Sequence, residues 1–372
     1  MLVAIAGQPV IDLRAARSLA ARLPAGQGAE LGFLRDGHPI ALAVDVEPMP
    51  LEPLANGRVE LGEVLVLQED GGSQRLRSIW TFPDGEGPHP AVWLLPSLAW
   101  VSCEHPRSTW HPTFQLVQGL TAAGFATMRV DRSGLGDSEG PPCTELDFEA
   151  EMRGWWAALA HFCAEPRVRA SARHLFGRSL GGVLAALLAR RPAFASVVVW
   201  GTSAQPWHDA LLKSSARQLA LGGLGGAALE RRLTRLCELQ ELVYLRGLTP
   251  DEAYAKRPDL ADVQPSDFAG SQVYDRDARF FQQLQTQDIA GAWQQVRCPV
   301  LAVFAACDFL TSADDLREIA QLAPKGRFTE LPGVDHFMHE RPSLAAAFRE
   351  PWGGAFSGRA VTTLVDFFRA HG

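Results

Sequence analysis

The run Leu175-Phe176-Gly177-Arg178-Ser179-Leu180-Gly181-Gly182 contains the pattern G-x-S-x-G, from Gly177 to Gly181. An apolar, strand-like stretch precedes it, and an Ala/Leu-rich, helix-like stretch from Val183 to Arg190 follows. Those flanks predict a tight strand-to-helix turn with Ser179 at its tip. A serine in that position is strained and projects its hydroxyl outward, and the flanking glycines remove side chains that would collide there. The turn also brings the backbone N–H of Leu180 beside the hydroxyl, at a helix N-terminus that favours negative charge.

The surrounding chain supplies the sheet that such a turn needs. Leu61 to Leu67 and Leu76 to Phe82 alternate like antiparallel strands, and Ala91 to Leu95 is a continuous apolar run, as in a strand buried on both faces. A helix over Thr113 to Ala123, a strand over Phe125 to Val130 and a helix over Phe148 to Ala164 follow, with the glycine-rich loop Asp131 to Gly140 between the last two. After the Ser179 turn and its helix comes a strand at Ala195 to Trp200, and strands resume at Pro299 to Phe304 and Arg327 to Leu331, with helices at Ala313 to Leu322 and Gly358 to Ala370. This alternation calls for a mostly parallel sheet wrapped by helices. Between about 201 and 295 the strand pattern lapses into amphipathic helices. One of them opens on the capping box Thr249-Pro250-Asp251-Glu252. An insertion at this point reads as a lid, with Trp207, Tyr274, Phe280 and Phe281 as candidates to line an apolar substrate pocket.

Residues 1–50 read as a separate small α+β unit. Val3 to Ala6 is strand-like, Asp12 is placed to cap a helix through Leu23, and strands at Glu30 to Leu34 and Ile40 to Val46 flank a hairpin turn at Asp36-Gly37. The Pro-rich joint Pro48 to Pro53 separates it from residues 51–372. Val3-Ala4-Ile5-Ala6-Gly7-Gln8-Pro9-Val10 and Leu34-Arg35-Asp36-Gly37 resemble the C-terminal part of a PDZ domain. The carboxylate-binding loop of that family lies upstream of this pattern, so peptide capture by strand addition is not expected here.

A serine hydroxyl needs a base within hydrogen-bond reach, and the base needs an acid to hold its tautomer. Asp308 follows a buried strand and His336 follows a later one, so Ser179, Asp308 and His336 each stand at the carboxyl end of an expected strand and can meet along one sheet edge. From about residue 58 onward the chain resembles the α/β-hydrolase superfamily. The carrying motifs are Gly177 to Gly182, the D-x-x-G-x-G-x-S-x-G loop at Asp131 to Gly140, Asp308 and His336, and they are most similar to the dienelactone-hydrolase and CocE/X-Pro-peptidase side of the group. The resemblance implies an α/β-hydrolase fold with a helical lid, and a serine hydrolase that forms an acyl-enzyme on Ser179 with His336 as base and Asp308 as orienting acid. Many relatives carry His-Gly at the oxyanion loop, where this sequence has Pro96-Ser97-Leu98. Pro96 has no N–H, so the oxyanion donors are expected to be the N–H of Leu180 and one near Ser97 or Leu98.

Other readings follow from the same residues. The substrate is expected to be a small molecule or an acyl group on a carrier, with a bulky apolar acyl part and an ester, thioester or amide carbonyl. Acyl transfer or cyclisation would use the same three residues, and a silent scaffold with a PDZ-like contact module is the reading from a different class. Asp335 and Asp131 are rival acids, and Cys103 is a rival nucleophile. His105, His111 and the pair His336/His339 lack the carboxylate or cysteine pattern of a closed metal site, so neither a metal nor a cofactor is expected. A formal net charge of -7 without a basic stripe argues against nucleic acid as a partner. The apolar start, Met1 to Val10, is cut short by Pro9, and no run is long enough for a membrane span. The six cysteines show no C-x-x-C pair, as expected of reduced thiols in a cytoplasmic protein. The apolar helical faces of the insertion would also suit a homodimer contact.

Overall fold

In the computed structural model, which describes residues 1–11, 13–20, 23–68, 71–263 and 268–372, the chain parts at the end of the Pro-rich joint into two units, Met1–Pro53 and Leu54–Gly372. In the first unit, β1 (Leu2–Ile5) turns back through Ala6 and Gly7 onto β2 (Gln8–Pro9). Helix α1 (Leu13–Ala20) then leads to the hairpin of β3 (Gly28–Arg35) and β4 (His38–Asp45), and the sheet order is β2-β1-β3-β4. The hairpin turn is the two-residue Asp36-Gly37, with φ of 51° and 80°. Left-handed conformation at both positions gives the turn the twist that the flanking strands need. Asp12, the expected helix cap, lies outside the described residues.

The second unit opens with the long antiparallel pair β5 (Gly57–Leu67) and β6 (Ser73–Pro83). It continues through β7 (His89–Leu95), α2 (Pro112–Ala122), β8 (Ala126–Val130), α3 (Phe148–Ala164), β9 (Val168–Arg178), α4 (Leu180–Ala189) and β10 (Ser196–Trp200). The insertion follows with α5 (Trp207–Leu221), α6 (Gly226–Gln240), one π-helical turn (Glu241–Leu245) and α7 (Pro250–Lys256). It ends with three two-residue strands, β11 (Phe268–Ala269), β12 (Gln272–Val273) and β13 (Arg276–Asp277), then α8 (Ala278–Gln285) and α9 (Ile289–Gln295). The chain closes with β14 (Val300–Ala305), α10 (Ala313–Leu322), β15 (Gly326–Leu331), α11 (Leu344–Arg349) and α12 (Gly358–Arg369). The expected capping box at Thr249 is formed, with both reciprocal bonds to Glu252.

The large sheet has the order β15-β14-β10-β9-β7-β8-β6-β5 and is parallel apart from the antiparallel edge made by β5 and β6. Successive residues of its central strands face opposite ways. Trp93, Leu95, Leu175 and Val199 enter one apolar core with α3, α4 and the insertion, whereas Val92, Leu94, Phe176 and Val198 enter a second with α2 and α12. Both faces are covered, and this is why these strands read as unbroken apolar runs. Helix α4 is buried along its whole length, from Leu180 to Ala189. Among the described residues, no helix is long and apolar enough to cross a membrane.

One ionic cluster is sealed inside this packing. Glu151 of α3 accepts from Arg132 Nε at 2.9 Å and pairs through its other oxygen with Arg276 of β13. Trp155 Nε1 donates to the same carboxylate at 3.2 Å. Burial alone would push this carboxyl up, but Arg132 and Arg276 outweigh it and hold Glu151 down at about 2. Removing one partner of a buried pair leaves the other charge uncompensated. Glu151→Gln should therefore destabilise the fold by about 3–5 kcal/mol, read from urea unfolding at neutral pH. The carboxyl is depressed on folding, so its contribution is complete above its unfolded value of 4.5 and is lost as pH falls towards about 2. The gap between wild type and variant should narrow over that interval.

Candidate active site

The chain leaves β7 for β8 on one side, and β9 lies on the other, continuing to β10. The crevice beyond the carboxyl ends of β7 and β9 is thus the point where the winding direction reverses, the usual place for a ligand in an open α/β sheet. Ser97 and Leu98 follow β7, Ser179 follows β9, Asp308 follows β14 and His336 follows β15.

Ser179 has φ 55° and ψ −126°, a backbone state costly for any residue with a Cβ. Its N–H donates to the Trp200 carbonyl at 3.0 Å, extending the ladder with β10, and its own carbonyl accepts from Gly182 N–H at 2.8 Å. The glycines around it are sterically required. A Cβ on Gly177 would run into the Gly181 backbone, one on Gly181 would come within 2.9 Å of the Leu95 carbonyl oxygen, and one on Gly182 would strike the Thr202 side chain. The chain at Leu95-Pro96 is therefore packed against the start of α4. Leu180 is the first residue of that helix, and its N–H is one of the first-turn donors without an intrahelical acceptor.

Asp308 and His336 are 1% and 2% exposed, and their side chains meet, Nδ1 of His336 lying 2.8 Å from Oδ2 of Asp308. Burial would raise the Asp308 carboxyl, yet it lies below its ordinary value because His336 and Thr311 stabilise the anion. Thr311 Oγ1 donates to Oδ2 at 2.7 Å, and the N–H groups of Leu310 and Thr311 donate to Oδ1 at 2.7 and 3.0 Å. The pair also leans on a glycine, since a Cβ on Gly201 would sit 2.7 Å from both Asp308 Oδ2 and His336 Nδ1.

The rival residues are engaged elsewhere. Asp335 accepts from Arg341 Nε at 2.6 Å and from the N–H groups of Phe337 and His339. Asp131 binds Arg77 at 2.6 Å, Ser102 Oγ at 3.0 Å and the Cys103 N–H at 2.7 Å. It thereby ties the start of its own glycine-rich loop to β6. The Cys103 thiol donates to Asp131 at 3.1 Å, and burial together with that anion pushes it well above its ordinary value. It stays protonated, which removes it as a nucleophile. His105 and His111 stack with ring centroids 3.5 Å apart. Among the described residues, no group of three or more His, Cys, Asp or Glu is arranged to hold a metal ion.

The insertion reaches the loop after β7 at two points. Trp100 Nε1 donates to Asp275 at 3.2 Å, at the tip of the β12–β13 hairpin, where Tyr274 and Asp275 both have positive φ. Arg276, next along, joins Glu151, and Glu151 holds Arg132, whose Nη2 and Nη1 donate to the carbonyls of Ser97 at 2.7 Å and Ala99 at 2.9 Å. Trp207 stacks on Phe281 at 5.3 Å, and Tyr274 and Phe280 meet the same ring edge-on at 5.8 and 5.1 Å. Phe280 and Phe281 are wholly buried, Phe280 against Phe148 of α3, while Trp207 and Tyr274 keep some exposure. Four residues that position this site, Arg132, Gly201, Arg276 and Thr311, were not singled out from sequence. Thr311 alone had a local signal, an aspartate followed three residues on by a hydroxyl, the pattern of a side chain that closes its own turn.

An open parallel sheet that carries a strained serine turn, a buried His–Asp pair and a helical insertion defines the α/β-hydrolase class of fold. The chain belongs to the alpha/beta hydrolase family, whose model matches residues 94–348. Similar solved structures include DcsB in complex with its substrate analogue, at 19% identity and a TM-score of 0.52, covering 84% of this chain and 100% of that one. Est1E from Butyrivibrio proteoclasticus with bound ferulic acid matches at 16% identity and a TM-score of 0.52, covering 82% of this chain and 99% of that one. GrgF from Penicillium sp. sh18 matches at 15% identity and a TM-score of 0.52, over 84% and 99% of the two chains. No curated protein matches the sequence.

Gly201→Ala should push the Asp308–His336 pair apart. A displacement of about 1 Å is enough to cost on the order of 10²-fold in rate. The expected outcome is slower reaction of Ser179 with a fluorophosphonate by about that factor, together with a shifted Nδ1 proton resonance in ¹H NMR.

Proposed function

We propose that the chain is a serine hydrolase that cleaves an ester, thioester or amide through an acyl-enzyme on Ser179. His336 takes the hydroxyl proton through Nε2, because its Nδ1 is engaged by Asp308, and later returns it to the leaving group. Asp308 fixes the ring and offsets the imidazolium charge. The oxyanion is received by the N–H of Leu180 and by one from the loop after β7. There Arg132 pulls the Ser97 carbonyl towards itself, and in a planar trans peptide the Leu98 N–H then points the opposite way. This favours the Leu98 N–H over that of Ser97 as the second donor. The D-x-x-G-x-G-x-S-x-G loop supports a place on the dienelactone-hydrolase and CocE side of the family. The observation that carries the reading is the backbone of Ser179 at φ 55°. Strain of roughly 1–3 kcal/mol is kept at a crevice only when the surrounding structure enforces it.

Trp207 and Tyr274, the two rings that keep some exposure at the edge of the cluster with Phe280 and Phe281, support a bulky, apolar acyl group, carried by a small molecule or an acyl carrier. A panel of ester, thioester and amide substrates tests the reaction class. Ser179→Ala and His336→Ala should each lose on the order of 10⁶-fold in kcat, and Asp308→Asn on the order of 10⁴-fold, with folding intact by circular dichroism. An Asp308→Asn protein with wild-type turnover would sink the assignment of the acid. The pocket reading is checked separately with Trp207→Ala. It should change the ratio of kcat/KM for long over short acyl esters by about tenfold, the scale expected when one apolar contact is lost.

A further inference from the structure

Arg178 ends β9, one residue before Ser179, and lines a cavity of about 240 Å³ on the α2 side of the sheet. Leu116, Phe176, Phe337, Met338 and Trp352 belong to its apolar lining. Ser97 of the loop after β7 also lines it. The cavity is thus walled by sequence neighbours of both reactive residues, Arg178 beside Ser179 and Phe337 beside His336.

The guanidinium of Arg178 differs from four others that are paired inside the fold. Arg77, Arg132, Arg276 and Arg341 each hold a carboxylate, Asp131, Glu151, Glu151 and Asp335 respectively. Among the described residues, no carboxylate forms an ion pair with Arg178. The two acids whose charge reaches it, Asp335 and Asp308, are taken up by Arg341 and by His336 with Thr311. What Arg178 has is a 3.5 Å contact from Nη1 to the His336 carbonyl and the face of the Phe337 ring at 5.4 Å. Burial pulls it down to about 10 against the pull of those two anions, so it is still a cation at neutral pH. The histidines that share the wall add no second charge through His111, which burial and His105 hold down at about 3. Arg129 lines the same space and donates to the Cys103 carbonyl at 2.9 Å.

A cation without a paired carboxylate, in the wall of a largely apolar cavity, matches an anion on a short hydrocarbon chain. Guanidinium and carboxylate join through two parallel hydrogen bonds, which suits a planar ligand end. We propose that this cavity is the subsite for the anionic end of the substrate, a carboxylate held by Arg178 with its carbon chain against Leu116, Phe337 and Trp352. The word substrate rests on the reading of Ser179 as nucleophile, whereas the site itself can be tested without turnover.

The first measurement is calorimetric titration of the Ser179→Ala protein with heptanoate and with heptanamide. Heptanoate should bind at least about tenfold more tightly, the scale of a hydrogen bond to a charged group, and Ser179→Ala/Arg178→Met should lose that preference. Equal binding of the two ligands, binding of neither, or a preference that survives Arg178→Met would overturn the subsite. If Arg178→Met does not fold, the comparison of the two ligands on the Ser179→Ala protein decides alone. The second measurement compares kcat/KM for 4-nitrophenyl hydrogen adipate and its methyl ester in the wild type. The anionic ester should be preferred by about tenfold or more, and the ratio should fall to near one in Arg178→Met, whatever loss the two esters share. Turnover without such a preference would count against the subsite. Carboxylate binding through Arg178 with neither ester cleaved would uphold the subsite and overturn the hydrolase reading.

Discussion

Glu151 is the point to which both the loop after β7 and the hairpin of the insertion are tied. One of its oxygens holds Arg132, which in turn holds the carbonyls of Ser97 and Ala99. The other holds Arg276 beside the tip of the insertion's hairpin, and the same guanidinium donates to the Cys143 carbonyl at 3.0 Å. The flat faces of the two arginines lie over Trp155 and Phe280. Taking three charges out of water is costly, and apolar residues of equal volume often pack as stably. What an apolar replacement cannot supply is direction, because only a fixed fork of donors sets the plane of the Ser97–Leu98 peptide. On this account the cluster is kept for geometry: it references the loop after β7 and the insertion's hairpin to one residue of helix α3.

The serine turn depends on a second constraint, this one purely steric. Its backbone state persists because the helix behind it is packed too closely to yield. The closeness is achieved by removing side chains, at Gly177, Gly181 and Gly182 against their neighbours and at Gly201 beneath the His–Asp pair. Gly201 also has φ 52°, so two separate reasons exclude a side chain there. The strand end that carries Gly201 therefore governs how near β10 can bring its following loop to Asp308 and His336.

The legible parts of the sequence were those with a period or a local partner. The buried strands stood out because both faces are covered, and β3–β4 because Asp36-Gly37 can adopt two left-handed conformations in succession. Asp308 and His336 were findable because each follows a strand, and strand ends of a parallel sheet share one edge. The two-residue strands β11 to β13 were not expected, since two residues have no periodicity, and neither was the π-helical turn at Glu241–Leu245, which continues directly from α6. The cluster around Glu151 is invisible for a different reason. Its members lie 19 and 125 residues away in the chain, and nothing in the local pattern separates a buried Arg132 or Arg276 from a solvated one. Arg178 has the same problem, because nothing local distinguishes the charge inside Gly177-Arg178-Ser179 from a solvated one until the fold reveals that its neighbours leave it without an ion pair.

The cavity beside Arg178 and the aromatic cluster of the insertion belong to opposite faces of the sheet. Phe176 points into the core shared with α2 and α12, and Arg178, two residues on, continues that face into the cavity with Leu94, Leu116 and Met338. The aromatics of the insertion, Trp207, Tyr274, Phe280 and Phe281, belong to the core on the other side. Ser179 lies at the strand end between them. The proposed substrate is accordingly two-ended, with an apolar acyl body on the insertion's side, a scissile carbonyl at the serine, and a shorter arm that ends in a carboxylate on the α2 side. On the proposed geometry, shortening the anionic arm until its carboxylate no longer reaches Arg178 removes the charge pairing without altering the carbonyl or the acyl body.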